Sequence, residues 1–416
     1  MSMKSIEVRN FKSFKDLKIN LGKFNVLIGA NASGKSNFVQ IFGFLSDIAN
    51  HGLDNAVSLQ GGTEYLQNMN IGASENTYIK VVSDQKFGWV RETKAGLIGI
   101  KTYELIYEFA LKFNTDDSGF EISKDKLTQK CNFVRLERKE DKIEEKETLG
   151  GGEILISCSN RSVKIDPNIP KNVPLKKEDL YPQFLREEKL PEHTLILETP
   201  YFFMPSLESI FEDIAIYDFD PKLPKKAASI TGKAELEEDG SNLSIILKNI
   251  AENKEKRRKL FNLVNDILPF VKDLDVEKFA DKSLLFKLKE SYFKTQYLPA
   301  SLISDGTINI TALIIALYFE KKAFVIFEEP NRNIHPYLIS KMVEMMKDAS
   351  RKKQIVVTTH SPEFIKHAEL ESILLVSRDE NGFSTISRPA DKEEVKTFLK
   401  NDIGIEELYI QNLLEV

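Results

Sequence analysis

Residues 24–37 read FNVLIGANASGKSN and contain the pattern G-x-x-x-x-G-K-[ST], which begins at Gly29 and ends at Ser36. The apolar run before the pattern predicts a buried strand, and the residues from about Lys35 to Ile48 predict a helix. The glycines of such a loop let main-chain N–H groups curl around phosphates, and the helix points its positive end at them. The stretch therefore predicts a phosphate-binding loop in an α/β fold.

Two side chains of this loop have specific expected roles. Lys35 is expected to reach the β- and γ-phosphate oxygens, and Ser36 to ligate Mg²⁺. The alternative is a glycine turn that binds nothing, but the strand before the pattern and the helix after it argue against a chance match. The residues expected to contact the nucleotide are Gly29, Asn31, Ala32, Ser33, Gly34, Lys35, Ser36 and Asn37.

Length and composition indicate a soluble intracellular protein. The chain has 416 residues, a formal net charge of -5 and 42% hydrophobic residues, which suits one large or two modest domains. Its longest apolar run, residues 312–319, is far shorter than the roughly 18 residues of a membrane helix. The N-terminus lacks the apolar stretch of a secretory signal, so we expect a cytoplasmic location and no membrane partner. Cys131 and Cys158 predict neither a disulfide framework nor a cysteine metal site.

The periodicity of the chain predicts four consecutive segments. Residues 1–84 are expected to form the first part of a nucleotide-binding core, and residues 85–178 an antiparallel β lobe. Residues 179–294 are expected to form a helical lid or arm, in which helices dominate and a charged helix lies around residues 245–264. Residues 295–416 return to an α/β rhythm and are expected to complete the core. Heptads are not sustained, so a long coiled coil is not expected.

A second motif is an apolar strand, residues 323–327, that ends in Glu328-Glu329-Pro330. A buried parallel strand beside the phosphate-loop strand would deliver these carboxylates to the nucleotide. Glu328 is expected to hold Mg²⁺, and Glu329 to polarise the attacking water as a general base. Two acids after a strand are also common at surface turns, and only the loop upstream favours the functional interpretation.

Two further stretches are ambiguous when taken singly. Residues 354–362, QIVVTTHSP, place His360 at the end of a strand, where it could bond the γ-phosphate or the attacking water, or else be an ordinary core histidine. Residues 302–307, LISDGT, precede an apolar helix, and Ser304 or Asp305 is a plausible N-cap. Gly306 would permit close approach of an anion to this helix terminus, but a plain capped core helix explains the same residues.

The order of these motifs resembles the ABC-type ATPase heads of the SMC, RecF and OLD-like group. It is most similar to compact bacterial AAA family ATP-binding proteins that are often encoded in phage-defence operons. Residues 8–14, VRNFKSF, and 239–243, DGSNL, are also similar to that family. The resemblance implies a P-loop NTPase with an ABC-type head: a mixed or parallel core sheet, an antiparallel β lobe and a helical lid or arm.

The resemblance also implies roles for particular residues. Gly34, Lys35 and Ser36 would form the Walker A phosphate loop, while Glu328, Glu329 and His360 would serve Mg²⁺, hydrolysis and the switch position. Ser304 and Gly306 would lie in a signature motif that touches the γ-phosphate of ATP bound to another subunit. Head-to-tail homodimers or higher homo-oligomers with ATP and Mg²⁺ at the interface are therefore expected.

Some positions depart from the family pattern or cannot be assigned from it. The chain has Asn331, Arg332, Asn333 and Ile334 ahead of His335-Pro336, where the family usually continues the Glu-Glu-Pro motif with Glu and places Gly or Asn before Leu-His-Pro. This difference affects the turn expected to contact the partner subunit. The glutamine that usually joins the Mg²⁺ shell is not evident, and Gln60 is a candidate, although a glutamine in a loop is more often only solvated.

The resemblance implies an ATP hydrolase that controls a separately encoded effector, in anti-phage defence. Only 56 residues follow His360, fewer than the roughly 100 of a nuclease domain, so an effector would be another chain. A RecF- or SMC-like ATPase of DNA repair and an ATP-gated scaffold are the alternatives, although Glu329 favours hydrolysis. The net charge predicts no general attraction to DNA. DNA binding would need a local basic patch such as residues 256–259 or 351–353.

Overall fold

The computed structural model describes residues 2–114, 119–139, 142–180, 189–199, 210–279, 282–401 and 403–414. Its contacts group the chain into two compact units built from segments that are far apart in sequence. Unit 1 comprises residues 1–22, 37–214 and 377–386, and unit 2 comprises residues 23–36, 215–376 and 387–416. The sequence analysis divided the chain into four consecutive segments, and their status as domains stays a prediction.

The strands, in chain order, are β1 (Met3–Phe11), β2 (Phe14–Asn20), β3 (Phe24–Ile28), β4 (Thr77–Ser83), β5 (Phe87–Thr93), β6 (Gly96–Phe113), β7 (Phe120–Lys139), β8 (Lys142–Ser159), β9 (Ser162–Asn168), β10 (Ile214–Tyr217), β11 (Ala228–Ser229), β12 (Val271–Phe279), β13 (Ser283–Glu290), β14 (Leu298–Pro299), β15 (Phe324–Glu328), β16 (Gln354–Thr359), β17 (Ile373–Arg378) and β18 (Ser384–Ser387). The helices are α1 (Lys35–His51), α2 (Leu53–Leu59), α3 (Thr63–Leu66), α4 (Leu243–Ala251), α5 (Lys254–Ile267), α6 (Asp305–Tyr318), α7 (Pro336–Ser350), α8 (Pro362–Lys366), α9 (Glu393–Lys400) and α10 (Ile405–Ile410).

Unit 1 is built on an antiparallel sheet with the strand order β2-β1-β4-β6-β7-β8-β9, and β5 pairs with β6. Burial alternates along its strands, as in β7, where Leu127, Gln129 and Cys131 are buried between more exposed neighbours. This period of two is typical of a sheet with one face in the core. The predicted antiparallel β lobe is confirmed, and β1 and β2 join the same sheet because their antiparallel register continues it.

Asp125 on β7 is an acidic side chain that is buried in unit 1. Its carboxylate accepts hydrogen bonds from the Tyr107 hydroxyl (3.0 Å) and from the Ile196 main-chain N–H (2.7 Å). Burial raises the pKa of Asp125 to about 7, although both hydrogen bonds act in the opposite direction. The neutral acid is therefore favoured in the folded chain and the carboxylate in the unfolded chain, so ionisation of Asp125 opposes folding.

This ionisation predicts a loss of stability as the pH rises. With a folded pKa near 7 and an unfolded pKa near 3.9, wild type should lose about 1.4 kcal/mol between pH 6 and pH 8. Asp125→Asn cannot ionise, and its amide can accept from Ile196 and donate to Tyr107, so this contribution should vanish. Urea unfolding at the two pH values tests this expectation. An equal pH dependence in both proteins would contradict it.

Unit 2 contains parallel strands in the order β15-β16-β3-β17, with β10 beside β15. The register sets Glu328 opposite Thr358, and Thr359 opposite Ile28. These strands are almost wholly buried apolar runs, which is typical of a parallel sheet covered on both faces. Their carboxyl ends lie at one sheet edge, so the residues that follow β3, β15 and β16 are brought together there.

The predicted helical segment is helical only in part. The charged helix expected around residues 245–264 is two helices, α4 and α5, and the Asn253 side chain caps α5 by accepting from the Glu255 and Lys256 N–H groups. The prediction that helices dominate up to residue 290 is wrong for β12 and β13, which form an antiparallel pair. Leu284, Phe286 and Leu288 are buried at every second position, the period of a strand. Residues 181–188 and 200–209 of this segment lie outside the described residues.

Candidate nucleotide-binding site

The phosphate loop joins β3 to α1 as predicted, and the helix ends at His51, three residues beyond the expected Ile48. Its conformation depends on glycine at two positions. A Cβ atom at Gly29 would overlap the Val376 carbonyl oxygen, and Gly34 has a φ of 118°. Ala32 has a φ of 61°, which is uncommon for a residue with a side chain. Such strain is found most often where a loop is shaped for a ligand.

The remaining loop residues show which groups face solvent. Asn31, Ala32 and Ser36 are exposed, whereas Ser33 and Gly34 are buried. The side-chain amide of Asn37, in the first turn of α1, donates to the Ser13 hydroxyl (2.7 Å). Nucleotide contacts by these residues stay predictions.

Lys35 begins α1 and bends back over the loop. Its ammonium group donates to the main-chain oxygens of Gly29 (2.8 Å) and Ala30 (3.0 Å). Partial burial lowers the pKa of Lys35, and the negative charge of Glu329 counteracts this effect. A partly desolvated cation in a ring of main-chain groups is suited to binding an anion such as a phosphate.

Ser36 and Glu328 bring two hard oxygen ligands together from the loop and from β15. The Ser36 hydroxyl donates to Glu328 Oε2 at 3.2 Å. Burial raises the pKa of Glu328, and the nearby charge of Asp218 adds to this rise. Magnesium commonly takes one or two protein oxygens and completes its shell with water and phosphate oxygens, so this pair fits Mg²⁺ bound together with a nucleotide. The described residues hold no cluster of three or more His, Cys, Asp or Glu side chains suited to a metal ion by themselves.

Glu329 and His360 form a close pair beside these ligands. Glu329 Oε1 lies 2.7 Å from His360 Nδ1, and the two side chains are 12% and 58% exposed. The other carboxylate oxygen, Glu329 Oε2, is buried and has no hydrogen-bond partner among the described residues. A buried acceptor of this kind is expected to bind a proton donor such as water. The pair therefore has the geometry for holding and deprotonating a water molecule.

The backbone of Glu329 is also strained. Its φ is 44°, and its N–H donates to the Thr358 carbonyl at 3.0 Å. The left-handed conformation turns the chain out of β15 directly after Glu328, so the two adjacent carboxylates reach different partners, Ser36 and His360. A strained residue that carries a functional group is characteristic of catalytic sites.

The predicted signature residues have roles within the chain itself. The Ser304 hydroxyl caps α6 by accepting from the Thr307 N–H at 3.3 Å. An ideal Cβ at Gly306 would lie only 2.6 Å from the Asn333 carbonyl oxygen, so glycine is required by close packing against the turn after β15. The Asn309 amide donates to the Arg332 carbonyl (3.1 Å) and joins the same two elements. Contact of Ser304 and Gly306 with a nucleotide on another subunit stays a prediction.

Two neighbours of the site were not predicted from the sequence. Asp218 follows β10 and forms an ion pair with Arg332 (2.8 Å), and an acid directly after a short apolar strand was a signal that could have revealed it. Asn331 accepts from the Thr359 hydroxyl at 2.8 Å.

Two other predictions concern Gln60 and the basic residues considered for DNA binding. Gln60 is the C-cap residue of α2 in unit 1, and its role in the Mg²⁺ shell stays a prediction. Of the basic residues considered for DNA, Arg257 pairs with Asp273 (3.0 Å), and Lys259 donates to the Tyr318 carbonyl. Lys353 is buried and donates to the Ala316 and Glu320 carbonyls, and burial lowers its pKa to about 8. These three cations are therefore already engaged within the chain.

Taken together, the phosphate loop, the Ser36–Glu328 pair and the Glu329–His360 pair define a P-loop ATPase. The chain belongs to the AAA ATPase domain family (AAA_15), which matches residues 1–365. This confirms the predicted resemblance and identifies the protein as an ATP hydrolase. No match was found among the curated proteins.

Solved structures similar to this chain include SMC head domains at low sequence identity. One is the SMC head bound to the C-winged helix domain of ScpA, with 14% identity and a TM-score of 0.48 over 93% of this chain and 98% of that one. Another is the SMC head domain from Thermotoga maritima, with 12% identity and a TM-score of 0.40 over 93% and 99%. A third is the Smc head with an extended coiled coil bound to the C-terminal domain of ScpA derived from Pyrococcus furiosus, with 13% identity and a TM-score of 0.45 over 96% and 99%.

Among the described residues, no helix is both long and apolar enough to span a bilayer.

Proposed function

We propose that this ATPase hydrolyses Mg²⁺-ATP at a head-to-tail interface between two copies of the chain, and that the cycle controls a separately encoded effector. The observation that carries the hydrolytic part is the buried, unpartnered Glu329 Oε2 beside His360 and beside the Ser36–Glu328 pair. A carboxylate oxygen left free in this position is what a general base for water requires.

In this proposal each residue has one task. The loop N–H groups cradle the phosphates, and the Lys35 ammonium exchanges its main-chain partners for β- and γ-phosphate oxygens. Ser36 and Glu328 hold Mg²⁺, which when bound neutralises charge on the phosphates. Glu329 accepts the proton of the attacking water, and His360 orients Glu329 through the hydrogen bond to Oε1.

The interface is supported by exposed residues near the proposed signature and the following turn. Ser304 is exposed although its hydroxyl caps a helix, so it can face a second chain. Leu302 and Tyr337 are each 69% exposed, which is unusual for large apolar side chains and is typical of contact surfaces. Control of an effector in cytoplasmic anti-phage defence is supported only by the family resemblance.

The interface can be tested at Ser304 because aspartate and asparagine are both good N-caps. Ser304→Asp keeps the cap of α6 but places a negative charge against the phosphates of the partner's ATP. We expect it to bind ATP with wild-type affinity and to lose assembly and hydrolysis. Ser304→Asn is the matched control, since it keeps the cap without the charge, and its activity should exceed that of Ser304→Asp by about tenfold or more.

Mixing provides the decisive measurement. Ser304→Asp retains an intact loop and a Lys35→Ala chain retains an intact Ser304, so one composite site forms in each mixed dimer. Half of the dimers in an equimolar mixture are mixed and each has one of two sites, so about a quarter of wild-type activity should return. Substitution of Gly306 is less suitable, because bulk there would displace the chain's own Asn333. An inactive mixture, with Ser304→Asp assembling normally, would show that Ser304 is only a helix cap.

The same assay separates the proposed role from a RecF- or SMC-like role in DNA repair. Stimulation of ATP hydrolysis by double-stranded DNA would favour the repair alternative. An unchanged rate would favour control of a protein effector, since the cations of Arg257, Lys259 and Lys353 are engaged within the chain.

A further inference from the structure

The turn that follows β15 is fixed to two elements near the candidate site. The Arg332 N–H donates to the Glu329 carbonyl at 3.1 Å, and the Arg332 carbonyl accepts from the Asn309 side chain on α6 at 3.1 Å. A hydrogen bond between residues i and i+3 closes a tight turn, in which the two Cα atoms are less than about 7 Å apart. The main chain of Arg332 is therefore held beside Glu329, the residue proposed as the general base.

The Arg332 side chain is paired with an acid and is still open to solvent. Its Nη1 lies 2.8 Å from Asp218 Oδ1, and the two side chains are 48% and 53% exposed. An ion pair this exposed contributes little to stability, because water screens the charges and both side chains lose freedom when they pair. Arg332 can therefore exchange Asp218 for a ligand of higher negative charge at a small cost in stability.

Asp218 and Glu328 lie at the ends of two neighbouring strands. β10 is beside β15 in the sheet, and the residues directly before the two acids, Tyr217 and Phe327, stack with ring centroids 5.5 Å apart. The two carboxylates are therefore near each other, and the Arg332 guanidinium is paired with one of them. Their charges act on Glu328 accordingly: burial raises its pKa most, Asp218 raises it further, and Arg332 lowers it.

These contacts place a guanidinium near the catalytic end of the site. Glu328 also accepts from the Ser36 hydroxyl at 3.2 Å, so it connects the phosphate loop with the sheet edge at which Arg332 lies. Phosphoryl transfer needs positive groups that stabilise the negative charge of the transition state. A planar guanidinium can donate two parallel hydrogen bonds to phosphate oxygens, whereas the Lys35 ammonium supplies a point charge.

We propose that Arg332 is a further catalytic residue, which leaves Asp218 when ATP binds and donates hydrogen bonds to the γ-phosphate at the phosphate loop of its own chain. The inference rests on the proposed binding of ATP at this loop. Asp218 is then a positioning residue that keeps the guanidinium near the site before the nucleotide arrives. The contribution of Arg332 is mainly to turnover, because the contact is strongest in the transition state.

The test is Arg332→Gln, which removes the charge and keeps a polar side chain. Turnover at saturating ATP should fall by about 100-fold, the usual effect of losing one donor to the transition state, while the Kd for ATP rises by less than about fivefold. Arg332→Lys keeps the charge without the paired donors and should recover part of the turnover. The matched control is Arg351→Gln, since Arg351 is 82% exposed in the same unit and also faces an acid, Asp348, at 3.9 Å. Its turnover should equal that of wild type.

Asp218→Asn separates catalysis from a structural role of the ion pair. If the pair only stabilised the fold, removal of either partner would cause the same loss. In the proposal Arg332 keeps its charge in Asp218→Asn, so the turnover of this variant should exceed that of Arg332→Gln by about tenfold or more. Equal losses in the two variants would overturn the proposal, as would turnover of Arg332→Gln within about threefold of wild type.

A mixture with Lys35→Ala shows on which chain Arg332 acts. In a mixed dimer of Arg332→Gln and Lys35→Ala chains, the intact phosphate loop belongs to the chain that lacks the arginine, so we expect no gain over Arg332→Gln alone. Recovery to about a quarter of wild-type activity would overturn the proposal, because Arg332 would then act across the interface.

Lys35→Ala measured alone keeps the two hypotheses apart. Loss of ATP binding in Lys35→Ala with normal turnover in Arg332→Gln rejects only the role of Arg332. Normal binding by Lys35→Ala rejects the ATP site itself.

Discussion

Glu329→Gln is expected to bind ATP with wild-type affinity and to lose turnover by about 10²- to 10⁴-fold, the usual contribution of a general base. The amide has the size and polarity of the carboxylate, and it can still accept a hydrogen bond from His360. It cannot accept a proton from water, and that is the task proposed for the buried Oε2. The variant should therefore accumulate in its ATP-bound, assembled form.

The measurement is a steady-state ATPase rate with calorimetric affinity on the same preparation. Glu344→Gln is the matched control, because Glu344 is an exposed carboxylate on α7 of the same unit, and its rate should equal that of wild type. An unchanged rate in Glu329→Gln would move the role of base to another group. A loss of ATP binding in that variant would instead assign Glu329 to nucleotide contact.

Lys35→Ala is expected to weaken ATP binding by about 10- to 100-fold, because the substitution removes charge-assisted hydrogen bonds to the phosphates. Lys35 is a cation of the phosphate loop. Without it, the negative charge of the β- and γ-phosphates would lose one positive partner. The fold should survive, because alanine is favourable in the first turn of a helix and the freed carbonyls of Gly29 and Ala30 can bind water.

Calorimetry with Mg²⁺-ATP measures this loss, and circular dichroism verifies that the chain remains folded. Lys352→Ala is a suitable control, since Lys352 is an exposed lysine in unit 2 and its removal changes the net charge equally. Equal affinity of Lys35→Ala and wild type would contradict the assignment of the loop as the ATP site.

Local patterns in the sequence predicted to a large extent which residues lie together at the candidate ATP site. The loop from Gly29 to Ser36, the acids after β15 and the histidine after β16 each follow a buried strand, and parallel strands end at one sheet edge. The order of the motifs and this one topological rule therefore predicted two close pairs, Ser36 with Glu328 and Glu329 with His360. The contacts of 3.2 Å and 2.7 Å agree with it.

Prediction was weaker where local patterns are ambiguous. The segment from Val271 to Glu290 is rich in charged residues and was expected to be helical, yet it forms the β12–β13 pair because Phe286 and Leu288 are buried in the core of unit 2. A short amphipathic run can fit both the period of a helix and the period of a strand, and burial in the tertiary structure decides between them. The sequence likewise did not decide between a signature motif and a plain helix cap at residues 302–307. The packing of Gly306 against Asn333 became evident only in the tertiary structure.

Residue types and their local order were enough to identify the phosphate loop, the strand–helix pair around it, the order of the acidic and histidine motifs, and the family. Each of these depends on residue type and on spacing of a few positions, so it is readable within one segment. The left-handed turn at Glu329 and the ion pair of Asp218 with Arg332 depend instead on the packing of the whole chain. The ion pair joins residues more than a hundred positions apart. The turn at Glu329 depends on pairing with β16, through the hydrogen bond from the Glu329 N–H to the Thr358 carbonyl, so local sequence preference alone does not predict it.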